Sequence, residues 1–426
     1  MLDLLIIGAG PAGLEAGYIA AKNGAKVLIV DMKRDIHIAR RACSAQFVLD
    51  EGYEGETLKI GDGKLIFTKN GFEVPYNGPL VPIQHNYMIS PKGYTVSFEY
   101  EDLHPTALKF DKNILLKGLL EQCEKAGVDI RPGTMALKGT DTGECVKLLV
   151  KDEKNEYELE AKKLIIAEGV NRKLTTLFGL NKGYQCMGIP LTYEYTLEGT
   201  KDIPHNSWIQ YYGNVYHPFM EVMVGESCYS DDALEFTIMG IGDLKPKAMF
   251  EKLRTESPLA ENLKDAKIVE RKGCSCKNFQ ALTTPYKGNV LAIGDSAAHI
   301  EVINQGAMMC GFNAGNAILK ELAGEPGFEE YTRWWGEAFE FNCEDPSGLL
   351  KMYGAINIKG NLADDEIDYL FAMLEGEQHS GHFNQYEVPK NFWTAVLKHD
   401  DTIKAENPAL YEKMAAIRAY KKQGKF

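Results

Sequence analysis

The residues whose types and spacing most directly suggest chemistry are three glycines near the start, in Leu4-Leu-Ile-Ile-Gly8-Ala-Gly10-Pro11-Ala12-Gly13. Four apolar residues precede them, and a periodic run to about Asn23, closed by Gly24, follows. That order reads as a buried strand, a tight turn and a helix. Gly8 permits the turn, Gly10 lets the backbone approach a diphosphate, and Gly13 lets helix and strand pack closely. A diphosphate there would meet free N–H groups at the positive end of the helix dipole. Lys26-Val-Leu-Ile-Val30 reads as a second buried strand. Asp31, 23 residues after Gly8, closes it at about the spacing where an acid binds ribose hydroxyls. Strand, helix, strand and acid together make a dinucleotide fingerprint rather than a bare glycine-rich turn.

Two later segments carry related turns. Lys163-Leu-Ile-Ile-Ala167-Glu168-Gly169 is a buried strand ending in an acid-glycine pair. Gly288-Asn-Val-Leu-Ala-Ile-Gly294-Asp295-Ser-Ala-Ala-His299 is another, followed by Asn304-Gln305-Gly306 and a helix. Together the three motifs resemble those of the p-hydroxybenzoate-hydroxylase-like FAD flavoproteins, and within them the geranylgeranyl reductase-like family. Cys43, in Arg40-Arg41-Ala-Cys43-Ser44, and Pro91-Lys-Gly93 fit that branch as well. The resemblance spans roughly residues 1–320.

It implies FAD. Gly8, Gly10, Pro11, Ala12, Gly13 and Asp31 would hold the diphosphate and ribose, Ala136 would meet the adenine, and Arg41 would assist the diphosphate. Ala167, Glu168 and Gly169 form the second motif. Gly294 and Asp295 would contact the ribityl chain, with Gln305, Gly306 and Ala307 along the isoalloxazine. This sequence departs from the pattern in four places. Glu168 replaces the usual Asp, Arg172 and Thr175 replace a Ser and an Arg, Val302-Ile303 replace a proline, and Tyr216-His-Pro-Phe219 only echoes an aromatic substrate motif. The change at 168–175 weighs against a hydroxylase, which ties that patch to reduced nicotinamide.

The elements needed to position these turns imply an α/β fold. We expect a Rossmann-like FAD-binding domain from residues 1–45, 100–178 and 268–325. An inserted antiparallel-sheet substrate domain would take 46–99 and 180–267, and 326–426 reads as a mainly helical C-terminal region. Asp111 can cap a helix with Leu115, Leu119 and Cys123 on one face, ended by Gly127. Val128–Arg131 returns as a strand, and 145–150 with 156–160 alternate like a hairpin. Trp208–Tyr212 and Leu234–Met239 are β-rich, whereas Asn407-Pro408 opens a helix carrying Leu410, Met414 and Ile417. Trp334-Trp335 and Phe339-Glu-Phe341 read as core, with a pocket wall or dimer contact as the alternative.

The chain has 426 residues and a formal charge of −13, which argues against a nucleic-acid partner. Its 45% hydrophobic and 25% charged composition is that of a globular protein. The 9 cysteines and the absence of a secretory pattern at the start point to reduced thiols and a cytoplasmic protein. Leu4–Ala21 reads as strand, turn and helix rather than a membrane span.

No metal spacing is present, and Cys274-Ser-Cys276, a C-x-C without a partner pair, reads as two ordinary thiols, with a redox or metal site as the alternative. Cys43, His299 and Cys310 are the candidate catalytic residues. His299 is set against a plain core histidine, and Cys43 with Cys310, placed at the start of the helix after Asp295, as a thiol pair gating the flavin against two separate buried cysteines. The resemblance implies an FAD-dependent oxidoreductase reducing a C=C bond of an apolar or isoprenoid-like substrate. A flavin-dependent aromatic monooxygenase and a non-catalytic flavin-binding carrier are the alternatives. With one dinucleotide fingerprint, the electron donor is either transiently bound NAD(P)H or a ferredoxin- or flavodoxin-like protein. Peripheral membrane contact and oligomeric state stay open.

Overall fold

Leu2–Ile7 (β1), Pro11–Lys22 (α1) and Val27–Asp31 (β2) form the strand–helix–strand unit in a computed structural model that describes residues 1–299, 301–339, 345–377, 379 and 387–426. β1 lies between β2 and the strand Glu156–Ile166, parallel to both. Asp129–Pro132 extends the sheet beyond β2, and Val290–Ala292 extends it beyond Glu156–Ile166. Leu4, Leu5 and Ile6 are wholly buried, as are Leu164, Ile165 and Ile166. Such unbroken apolar runs mark strands covered on both faces. The first half of Glu156–Ile166 instead pairs antiparallel with Val146–Lys151, the expected hairpin.

Two helices with expected signals pack against α1, which itself lies on this sheet. The helix Lys112–Lys125 (α2) starts where Asp111 Oδ1 accepts the Asn113 N–H at 2.7 Å, and it buries Leu115, Leu119 and Cys123. The long helix Ile303–Leu322 packs against α1 through glycines. A Cβ on Gly311 would sit 2.5 Å from the Ala12 carbonyl oxygen, so no larger residue allows this approach. Asn304, Gln305 and Gly306, expected ahead of this helix, form its first turn.

A second sheet has seven strands, in the order Lys267–Ser275, Leu191–Glu198, Leu234–Gly240, Val222–Glu226, Ser207–Tyr211, His85–Ile89, Thr95–Phe98. Its alternation separates two faces. Tyr195, Leu197, Phe236 and Ile238 pack with Phe250 and Leu253 of the helix Pro246–Glu256 into one core. Glu194 and Thr237, paired across the strands, take the other face. The C-terminal helices from Asp364–Leu374 onward build a third core with Met88, Val96 and Phe98, and Asn407 caps Pro408–Lys413 as expected. Phe47, Phe67 and Phe72, grouped above with the substrate sheet, join the nucleotide-binding core, as do Trp335 and Phe339. Phe341 lies outside the described residues. No helix among the described residues is long and apolar enough to cross a membrane.

Candidate functional site

The three motif turns leave the first sheet side by side. Gly8 N–H donates to the Val30 carbonyl at 2.9 Å, Ala167 N–H to Ile7 at 2.8 Å, and Ile293 N–H to Ile166 at 3.0 Å. Gly8 has φ +107°, and a Cβ there would fall 2.2 Å from the Ala167 carbonyl oxygen. A Cβ on Gly13 would fall 1.9 Å from the Gly8 oxygen, whereas one on Gly10 would meet no protein atom within 4 Å. Gly8 and Gly13 are therefore filled by the fold, and Gly10 faces an open groove.

That groove fits a dinucleotide. No side chain caps α1 and no acid stands in its first turn, so its leading N–H groups are left for an anion. Asp31 Oδ2 accepts the Ala9 N–H and Oδ1 accepts the Lys33 N–H, both at 2.7 Å. Each oxygen keeps a lone pair for a ribose hydroxyl. Gly133 and Thr134 donate to the carbonyls of Lys33 and Asp31 at 2.8 and 2.9 Å, which brings Ala136 to the same edge.

Gly294 adopts φ +60°, and a Cβ on it would lie 3.4 Å from that of Ala12, so the first and third turns touch. Asp295 Oδ1 accepts the Val302 N–H at 2.9 Å, and burial holds its carboxyl above the ordinary range. Gln305 Oε1 accepts the Val48 N–H at 3.0 Å, and Gly306 lies against Tyr53 and Phe339. This segment can thus offer a ring its backbone rather than the Gln305 side chain, with Ala307 half-buried beside it.

Glu168 Oε1 accepts the N–H groups of Leu174 and Thr175 at 2.7 and 2.9 Å, which caps the helix Lys173–Leu177. Burial raises its carboxyl while these bonds oppose the rise. Arg172 is buried in the left-handed region at φ +47°. Its guanidinium donates to the carbonyls of Ala298 and Gln280 and lies 5.2 Å from the Phe279 ring centroid. The departures at 168–175 therefore form one structural crosslink between the second and third turns. Arg41 stands over them, its Nη1 within 3.8 Å of a Cβ placed on Gly169.

The three catalytic candidates part company. His299 Nδ1 lies 2.8 Å from the Phe279 carbonyl, which can only accept, so Nδ1 carries the proton. Burial lowers its proton affinity, and it sits as a neutral, structurally bonded histidine. Cys310 is not at the start of its helix but well inside it, with no exposed surface. Burial pushes its thiol up to about 12, and its contacts are the Tyr331 hydroxyl and the Gly294 backbone. Cys43 is partly exposed, and its sulfur lies 3.2 Å from Lys112 Nζ and 3.4 Å from Asn304 Nδ2. Among the described residues the two cysteines share no partner, the arrangement of two separate cysteines rather than of a gating pair.

A pyridine nucleotide-disulphide oxidoreductase family model matches residues 2–198. A digeranylgeranylglycerophospholipid reductase of Methanocaldococcus jannaschii is 26% identical over 397 residues, 89% of this chain and 92% of that relative. The structure of a geranylgeranyl bacteriochlorophyll reductase-like protein from Thermoplasma acidophilum superposes with TM-score 0.73 at 16% identity, covering 97% of this chain and 98% of that one. The chain is an FAD-dependent oxidoreductase, similar over nearly its whole length to geranylgeranyl reductases. The halogenase PltM, solved with phloroglucinol and FAD, shares the fold with TM-score 0.59 at 13% identity, over 88% of this chain and 84% of that one.

In this reductase-like flavoprotein the sequence reading missed a buried charge cluster beneath Cys43. Glu194 Oε2 accepts the Cys43 N–H at 3.1 Å, and Lys272 Nζ lies 3.8 Å from Glu194 Oε1. Lys109, itself buried, bridges Glu235 and the Ser44 carbonyl. Burial, reinforced by Glu235, raises the Glu194 carboxyl. Acids at alternate positions of apolar strands, Glu194 and Glu235, were the available signal. Among the described residues no group of three or more acids, histidines and cysteines could hold a metal ion.

Proposed function

We propose that this oxidoreductase hydrogenates a C=C bond of an isoprenoid-like apolar chain at bound FAD. The names and near full-length coverage of its relatives support that substrate class. The observation that carries the chemistry is the Cys43 thiol, partly exposed beside Asn304 in the first turn of the helix that carries Gln305, Gly306 and Ala307.

FAD, when bound, supplies hydride chemistry that side chains lack. The N–H groups behind Gly10 bind its diphosphate, Asp31 its ribose hydroxyls and Asp295 its ribityl hydroxyls. Cys43 holds the proton for the second carbon of the double bond. Lys112, 3.2 Å from the sulfur, steadies the thiolate left behind and returns a proton to it. Glu168, Arg172 and Thr175 are engaged with backbone groups and with one another, which supports the reductase over the aromatic hydroxylase.

Electrons reach the site from NAD(P)H or from a ferredoxin- or flavodoxin-like protein, and rapid mixing with each donor distinguishes the two. We place the chain in the cytoplasm, meeting its lipid substrate at the membrane surface. The test is to reduce the flavin without oxygen and add a geranylgeranyl lipid. Return of the oxidised flavin spectrum, slowed in Cys43→Ser, is the expected result. Reoxidation by oxygen and a phenol but not by the lipid would overturn the reading.

A further inference from the structure

The proposed reduction makes no use of Cys274 and Cys276, although they lie on the face of the second sheet that meets the nucleotide-binding body. Cys274 is paired with Thr192 in the register of Lys267–Ser275, and the strand ends at Ser275. Cys276 is held beyond it by one backbone bond, its N–H donating to the Pro190 carbonyl at 3.0 Å. The two sulfurs are 3.6 Å apart and both residues are partly exposed. No other two cysteine sulfurs are in contact among the described residues. Arg41 Nη2 lies 3.8 Å from the Cys276 sulfur, and the Ala42 carbonyl lies 4.0 Å from that of Cys274.

We propose that Cys274 and Cys276 are a redox-active dithiol that closes to a disulfide by exchange with a low-molecular-weight disulfide. A rotation of each side chain brings the sulfurs from 3.6 Å to bonding distance, roughly 2 Å. The chain can follow because Cys276 lies outside the strand ladder. The two thiols are unequal. The hydrogen bond the two sulfurs share, with Arg41 behind it, lowers the proton affinity of Cys274 and raises that of Cys276. Glu301 is the nearby acid that adds to the rise at Cys276.

In the proposed exchange Cys274 attacks as the thiolate. Its sulfur bonds to one sulfur of the small disulfide, whose S–S bond breaks and releases a thiolate. Cys276 then passes its proton to that thiolate and attacks the Cys274 sulfur, breaking the mixed S–S bond and releasing the second thiolate. The protein dithiol is oxidised by two electrons and the small disulfide is reduced by two. A ring closed over one intervening residue, Ser275, is open to reduction again, as exposed and strained disulfides are.

The test equilibrates the full-length, FAD-loaded chain in mixtures of oxidised and reduced dithiothreitol. Acid quenching, alkylation after unfolding, and mass measurement of the peptide carrying residues 274–276 then report the thiols. The expected result is loss of both labels together along one two-electron curve. With hydroxyethyl disulfide as the probe, Cys276→Ser should trap a mixed disulfide on Cys274. Cys274→Ser should react roughly tenfold more slowly, and Arg41→Met should slow the capture by Cys274. Full labelling of both cysteines at every ratio, or equal capture rates in the two serine variants, would overturn the proposal. None of these readouts depends on the alkene reaction, so failure of the proposed reduction leaves this test intact.

Discussion

Gly10→Ala separates binding of the cofactor from folding of the protein. Its Cβ would meet no protein atom within 4 Å, and the φ of −84° at this position suits any L-residue. The folded protein should lose only the small difference between glycine and alanine at a helix N-cap, under about 1 kcal/mol. For a chain of this size that is a melting shift on the order of 2 °C or less. The same methyl group would stand in the groove before the uncapped N–H groups of α1. Losing one charge-assisted hydrogen bond to a diphosphate costs about 1.5–3 kcal/mol, or roughly tenfold to a hundredfold in FAD affinity. Titration of the apoprotein with FAD, followed by flavin fluorescence quenching, measures this directly. Gly13→Ala is the contrast, because its Cβ would fall 1.9 Å from the Gly8 carbonyl oxygen and should damage folding and binding together. Unchanged FAD affinity in a folded Gly10→Ala protein would refute the placement of the diphosphate.

Other consequences can be checked on the same preparations. Lys109→Met leaves the buried Glu235 carboxylate without its countercharge and should cost about 3–5 kcal/mol in urea unfolding, most of it recovered by adding Glu235→Leu. Glu15 lies buried on α1 with Gln122 donating to its Oε2 at 2.7 Å, and burial pushes its carboxyl from 4.5 to about 8. The folded state then holds a proton that the unfolded chain releases, so the associated stability is complete below pH 4.5 and is lost as pH rises through 8. Unfolding midpoints should fall over that interval, and Glu15→Gln should flatten the fall by an amount on the order of a few kcal/mol. Cys310→Ala should leave turnover and the thiol-reagent sensitivity of the folded protein unchanged, because the wild-type sulfur is wholly buried. Activity assays before and after alkylation check that outcome.

What could be read from the sequence followed from local physics. The turns at Gly8 and Gly294 need backbone angles that favour glycine, and apolar runs such as Leu4–Ile7 are legible as buried parallel strands. Asp111, Gly127 and Asn407 marked their helix ends because capping involves neighbours within a few residues. Roles that depend on distant partners were not legible. Glu168 stands at a motif position, yet its carboxylate caps a helix whose first turn lies six residues on. Cys310 lies wholly buried eight residues into its helix, a burial that the glycine contacts with α1 decide and no local pattern records. Lys109 and Glu235 meet across 126 residues of sequence, which no local pattern records. Cys274 and Cys276 were visible as a C-x-C, whereas Arg41 beside them comes from a loop 235 residues from Cys276.

On the proposed function, this chain delivers hydrogen across an isoprenoid double bond. A single turnover of the anaerobically reduced holoenzyme with a geranylgeranyl lipid, read by mass spectrometry of the lipid, tests it most directly. The expected product has gained two hydrogens, one equivalent for each flavin reoxidised. Recovery of unaltered lipid while the flavin stays reduced, or a product that has gained oxygen, would contradict it.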